Sequence, residues 1–185
     1  MGTPVLNLLL ERRSCSSLGE PAPDEQALDV IFRAALRVPD FQRLRPYRFL
    51  VASGDGLHRL GALMQDAARQ SGLADEIVDR ALGMPKRAPM VVVVAAIHRP
   101  HKVVTPFEQQ LTAGCAVMAM QMAAFAQGYG GIWRSGWPMF NRTLHSALGL
   151  AEADQIVGFL YLGTPTAEPK NPLPGAEWAS FVQWL

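Results

Sequence analysis

The sequence predicts an α+β fold, a mixed sheet wrapped by helices, in a chain that pairs with a second copy of itself. Two observations point to the sheet and a third to the pairing. Residues 90–97 contain four consecutive valines and no charge, which suits a strand buried on both faces. Shorter apolar runs recur at 47–53, 130–133 and 157–163, each too short for a helix. Residues 109–133 carry no charged side chain, so the helix they form is apolar nearly all round and must be buried nearly all round. A 185-residue monomer can hardly surround such a helix, whereas two subunits packing these helices together can.

Each element follows from local signals. Residues 5–13 read as a short helix, and 24–38 as a better one. Asp24 is placed to cap the second, Leu28, Ile31, Phe32 and Ala35 form an i, i+3, i+4, i+7 stripe, and Pro39 stops it. The run 47–53, bounded by Gly54, reads as a strand, and 56–83 as helix with breaks. Beyond the valine strand, alanine and methionine favour helix from 109 until Gly128 ends it. Residues 130–133 and 157–163 then read as short strands, with a helix at 139–148 between them. The apolar tail 181–185 reads as one more strand, added to the other subunit's sheet.

Composition narrows the class. The length suits one domain, 1–185, large enough to bury a core without staples. Charged residues make up 18%, against about a quarter in ordinary globular chains, which again suggests surface hidden in a partner. A net charge of +1 argues against a dedicated nucleic-acid binder. Two cysteines far apart, Cys15 and Cys115, argue against a disulfide framework or a structural zinc site and fit a reducing, cytoplasmic setting. The apolar run at the start precedes its arginines, the reverse of a secretory signal, and residues 113–126 are too short to span a membrane.

The catalytic inventory is thin. There is no H-E-x-x-H, G-x-S-x-G, Walker loop or G-x-G-x-x-G. His98 and His101 are read as a surface loop rather than metal ligands, and Cys15 as a passive small residue. No catalytic side chain and no metal are therefore expected; a chain of this kind lets a cofactor carry the chemistry. The sharpest polar constellation is Arg12-Arg13-Ser14-Cys15-Ser16, at the end of the first helix. Two guanidiniums and two hydroxyls suit a phosphate, while arginines there also complement the helix dipole. A second cluster, Trp133-Arg134-Ser135-Gly136-Trp137, follows the apolar helix and reads either as the wall of a ring-binding pocket or as a capped loop with a core tryptophan.

The two clusters carry a resemblance. Arg12-Arg13-Ser14, then Glu20-Pro21-Ala22-Pro23, then Arg37-Val38-Pro39-Asp40 resemble the opening of the nitroreductase family. Ala113-Gly114-Cys115-Ala116-Val117-Met118-Ala119-Met120-Gln121-Met122-Ala123-Ala124, Gly130-Gly131-Ile132-Trp133-Arg134-Ser135-Gly136 and Ile156-Val157-Gly158-Phe159-Leu160-Tyr161-Leu162-Gly163-Thr164-Pro165 resemble its short, single-domain NAD(P)H nitroreductases. Order and spacing agree over almost the whole chain.

The resemblance implies a central mixed, mainly antiparallel sheet in an intertwined homodimer, with FMN at the subunit interface and NADH or NADPH as electron donor. It implies flavin contacts for Arg12, Arg13, Ser14, Arg37 and the position of Phe41, and for Trp133, Arg134 and Ser135 from the other side. It assigns Ala123, Ala124, Phe125, Ala126, Gln127 and Gly128 to the nicotinamide cofactor. The second substrate is then a flat, electron-poor small molecule such as a nitroaromatic or a quinone.

The sequence departs from the family pattern in places. Phe41 stands where relatives carry a polar residue, and Arg45-Pro46-Tyr47 where they carry Gln-Pro-Trp. Ser16 replaces a lysine, and Lys170 is the one candidate for a basic pair near the C-terminus. Arg43, Arg45 and Arg48 either compensate or form a solvated face. Two further readings stay open: a flavin-binding protein of the same fold without NAD(P)H turnover, and a non-enzymatic dimeric interaction module.

Overall fold

The computed structural model describes residues 3–167 and 177–185. Its first helix, α1 (Pro4–Glu11), is capped by the Thr3 side chain and followed by a two-residue strand, β1 (Leu18–Gly19). Next comes α2 (Glu25–Ala35), whose Asp24 side chain accepts from the Ala27 N–H, and then β2 (Tyr47–Ser53). The helical stretch breaks at 71–74 into α3 (Asp55–Gln70) and α4 (Asp75–Ala81). The valine strand is β3 (Met90–Ala96), and α5 (Pro106–Ala126) follows it. The remaining elements are β4 (Gly130–Arg134), α6 (Arg142–Ala147) and β5 (Gln155–Pro165).

The sheet runs β1-β5-β3-β2, with β4 also paired to β5, and every pairing among the described residues is antiparallel. β5 is the hub: β3 lies along one edge, and β4 and β1 lie end to end along the other. The valine run is buried on both faces because each face has its own core. Val91, Val93 and Ala95 join a cluster with Leu60, Met64 and Tyr161, on the α3 side. Met90, Val92 and Val94 join Ile31, Ala35 and Met120, on the side of α2 and α5. A strand sandwiched this way loses the polar alternation that marks a half-exposed one.

Several expectations are corrected. α1 stops at Glu11, so Arg12 and Arg13 lie beyond it in extended or loop backbone. α6 begins only at Arg142, because Asn141 caps it by accepting from the Leu144 N–H, and the residues before it form a short 3-10 turn, Trp137–Met139. The tail is no strand: Trp178–Phe181 forms a 3-10 turn and 182–185 has no regular structure. Lys170 lies outside the described residues.

α5 is started by a capping box, in which Thr105 and Glu108 exchange side chain and backbone hydrogen bonds. Within one chain it is buried on one side only. Ala116, Val117, Met120 and Ala124 face the sheet and α2, and Gln109 is buried on the Arg99 backbone, while Phe107, Leu111, Cys115 and Met118 form an exposed stripe.

Candidate functional site

The two polar clusters meet at β4. Its Gly131 carbonyl accepts two hydrogen bonds, one from the Cys15 N–H at 2.9 Å and one from the buried Gln121 side chain at 2.8 Å. One oxygen thus joins the Arg-Arg-Ser-Cys loop, the strand and α5. Gly130 presses against the same loop: a side chain there would come within 2.6 Å of Leu18 and 3.1 Å of Cys15. Strand alternation then sends Trp133 and its neighbours to opposite faces. Trp133 lies toward Gly114 of α5 and donates its indole N–H to the Val157 carbonyl at 3.1 Å. Ile132 and Arg134 face the α3 side.

On that side lies a cavity of about 290 Å³. Its floor is apolar, from Met64, Met84, Ile132 and Phe159. Its polar lining comes from Arg87, Arg134, Ser135 and Tyr161, with no carboxylate among them. The Arg134 guanidinium sits 5.5 Å from the centre of the Tyr161 ring, a cation–π arrangement. Its Nε is buried and finds no hydrogen-bond partner among the described residues. Tyr161 donates its hydroxyl to the Met84 carbonyl at 3.1 Å. Burial raises its phenol pKa, against the pull of Arg87 and Arg134. The phenol therefore stays neutral, and the cavity holds two positive charges with nothing negative facing them. Such a lining suits an electron-rich or anionic ligand with an apolar body.

Of the expected site residues, Trp133, Arg134 and Ser135 line this cavity. Arg12, Arg13 and Ser14 are not among its lining residues; they precede Cys15, whose N–H is tied to the Gly131 carbonyl. Arg37 and Phe41 do not reach the cavity. Both are exposed, Arg37 just beyond α2 and Phe41 in the 3-10 turn before β2. Residues 123–128 also lie apart: Ala124 is sealed against α2, and Gln127 donates to carbonyls of Ala27 and Ala123. Sequence reading missed Arg87 and Tyr161. Tyr161 shares β5 with Gly158 in a quoted motif, but only the sheet register brings it opposite Ile132, next to Arg134.

The other candidates resolve as structure. His101 accepts from the Val103 and Val104 N–H groups through Nδ1, which closes a turn, and the described residues hold no cluster fit for a metal. Cys15 donates its thiol to the Ser17 carbonyl. Arg43 and Arg45 are exposed on a loop where Gln42, Arg43 and Arg45 have positive φ, held by Asp40, whose carboxylate accepts from the Leu44 and Arg45 N–H groups. Arg48 donates to the Gly149 carbonyl.

The family model described as "Nitroreductase family" matches residues 9–164, most of the chain. The chain belongs to the nitroreductase family. One relative, "Putative NAD(P)H nitroreductase YdjA" of Escherichia coli, is 44% identical over 181 residues, covering 98% of this chain and 99% of its own. Among solved structures, a nitroreductase-like family protein from Bacillus cereus superposes with a TM-score of 0.84 at 20% identity, over 100% of this chain and 97% of that one. A nitroreductase with bound FMN from Bacteroides fragilis has a TM-score of 0.73 at 19% identity, over 95% and 97%. These likenesses fix the nitroreductase fold, including the mainly antiparallel sheet. Among the described residues no helix is long and apolar enough to cross a membrane.

Proposed function

We propose that this nitroreductase-family chain is an FMN-dependent NAD(P)H oxidoreductase that works as a homodimer on a small electron-poor acceptor, a nitroaromatic or a quinone. The observation that carries the reading is the cavity at β4, with two guanidiniums and an apolar floor, on the strand whose Gly131 carbonyl also holds the Arg-Arg-Ser loop through Cys15. The orphaned, buried Nε of Arg134 fits a group that accepts a hydrogen bond there. The naming of relatives as NAD(P)H nitroreductases and the FMN held by a structural neighbour support the same cofactors.

When bound, FMN supplies the redox chemistry, taking hydride from the reduced nicotinamide and giving electrons to the acceptor. The protein's part is position and field. Arg12, Arg13 and Ser14 grip the phosphate end through forked donors and a hydroxyl. Arg134 and Ser135 frame the ring end, with Arg134 held over Tyr161, and Trp133 backs the same strand from the α5 side. Met64, Met84, Ile132 and Phe159 keep water from the ring. Residues 123–128 enter this reading through the exposed turn Ala126, Gln127 and Gly128, since Ala124 is sealed.

Dimerisation is supported by what one chain leaves uncovered. Exposed on it are Val5, Leu9 and Leu10 of α1, the stripe on α5, and Trp178, Phe181 and Trp184 of the tail. Arg37 and Phe41, far from the cavity of their own chain, are then contributed to the partner's site. Two free cysteines suit a reducing cytoplasm.

The test is the absorbance spectrum of the purified protein after incubation with FMN, repeated without oxygen after NADH or NADPH is added. A flavin spectrum that bleaches is expected. One that persists assigns the chain to flavin binding without turnover, and the absence of any bound flavin overturns the proposal.

A further inference from the structure

We propose that Arg87, on the turn after α4, is a charge-positioning residue of this cavity that stabilises the negative charge a reduced flavin acquires there. The inference rests on the FMN reading but does not follow from it. The Arg-Arg-Ser and Trp-Arg-Ser segments lie on the loop before β1 and at the end of β4; Arg87 comes from a third element, the 3-10 turn Pro85–Arg87, and lines the same cavity. Three features fix it there. Pro85 is buried and sets the turn, Ala88 is sealed behind it, and β3 begins at Met90, so the guanidinium has a fixed root. Arg87, Arg134 and Tyr161 line the same cavity, where burial raises the phenol's pKa and both cations pull it down. Arg87 forms no ion pair with any described residue, so its charge is not cancelled.

Two cations facing an apolar cavity repel each other and favour whatever brings negative charge between them. Reduction of the bound ring does so, and the oxidised ring does not. The two states thus differ in how strongly they feel Arg87. Arg134 is half-buried and anchored over Tyr161, whereas Arg87 is exposed at the rim, so its effect is moderated by solvent.

The experiment compares the wild type with Arg87→Met and Arg87→Lys, each loaded with FMN, by redox titration against dyes of known potential. Arg87→Met is expected to shift the balance toward the oxidised form by about tenfold, or roughly 30 mV for the two-electron couple. Arg87→Lys, which keeps the charge, is expected to restore most of it. An unchanged potential in Arg87→Met overturns the inference while leaving the FMN reading intact. If Arg87→Met loses FMN, Arg87→Gln is titrated in its place: a potential lowered as above supports the charge, and an unchanged one overturns it. A wild type that takes up no FMN removes the parent reading and this one together.

Discussion

Trp133 holds its place because Gly158 has no side chain. The indole N–H reaches the Val157 carbonyl by crossing the space a Cβ on residue 158 would fill, and that Cβ would overlap Nε1 itself. The pair was only half legible in the sequence. Both residues sit in recognisable motifs, but that they share one space follows from the antiparallel register of β4 and β5, which pairs Trp133 with Leu160. Gly158→Ala is expected to push the indole out and destabilise the fold by ~1–3 kcal/mol, as overpacking does. Urea unfolding measures the loss, and a shift in tryptophan emission reports the displaced ring. The same limit hid Arg87 and Tyr161: a residue's chemistry is written in the chain, but which others it meets is decided by register and by turns many residues away.

At the scale of elements, α6 and the start of β5 are joined by a polar knot. Arg142 donates through Nη1 to the Asp154 carbonyl and to Nδ1 of His145, and through Nη2 to the Gln155 side chain. His145 therefore accepts at Nδ1 and donates from Nε2 to the Met139 carbonyl at 2.8 Å. That is the neutral tautomer, and burial, the largest cause, with the neighbouring Arg142 charge, lowers its pKa below the ordinary 6.5. The unfolded chain takes a proton at 6.5 that the folded one resists, so stability is full above that pH and falls as pH drops through and below it. Thermal unfolding between pH 7.5 and 5.5 is expected to show this decline, and His145→Gln to flatten it. A decline of equal slope in the variant would place the cause elsewhere. No such knot was legible beforehand, because its members span 139–155 with no recurring spacing. The long elements were legible for the opposite reason. The valine run and the charge-free helix carry their signal in many residues at once, while the short ends of α1 and α6 depend on single caps.

For the whole molecule, the decisive surface is the α5 stripe. Leu111 is 52% exposed in the single chain, so replacing it leaves the monomer's core alone. Leu111→Glu is expected to weaken a homodimer by ~3–5 kcal/mol, through unpaired charges buried across the interface. Light scattering coupled to size exclusion reads the result directly. A variant that stays dimeric at micromolar concentration would move the interface off α5. The expectation of a partner came from composition, since the run 109–133 carries no charge and a helix apolar all round is poorly suited to water. Which face of it turns outward was not legible, because that depends on how α2 and the sheet take the other.

The double hydrogen bond at Gly131 has a further consequence. Gln121 on the inner side of α5 holds the carbonyl that also holds the Arg-Arg-Ser loop, while the outer side of the same helix bears Leu111 and Met118. A rod gripped at both sides transmits in both directions. On the dimer reading, occupancy of the cavity and association of the subunits are linked equilibria, and whatever factor ligand adds to subunit affinity, association adds to ligand affinity. Dilution would then strip the protein of its ligand without any change in the cavity itself.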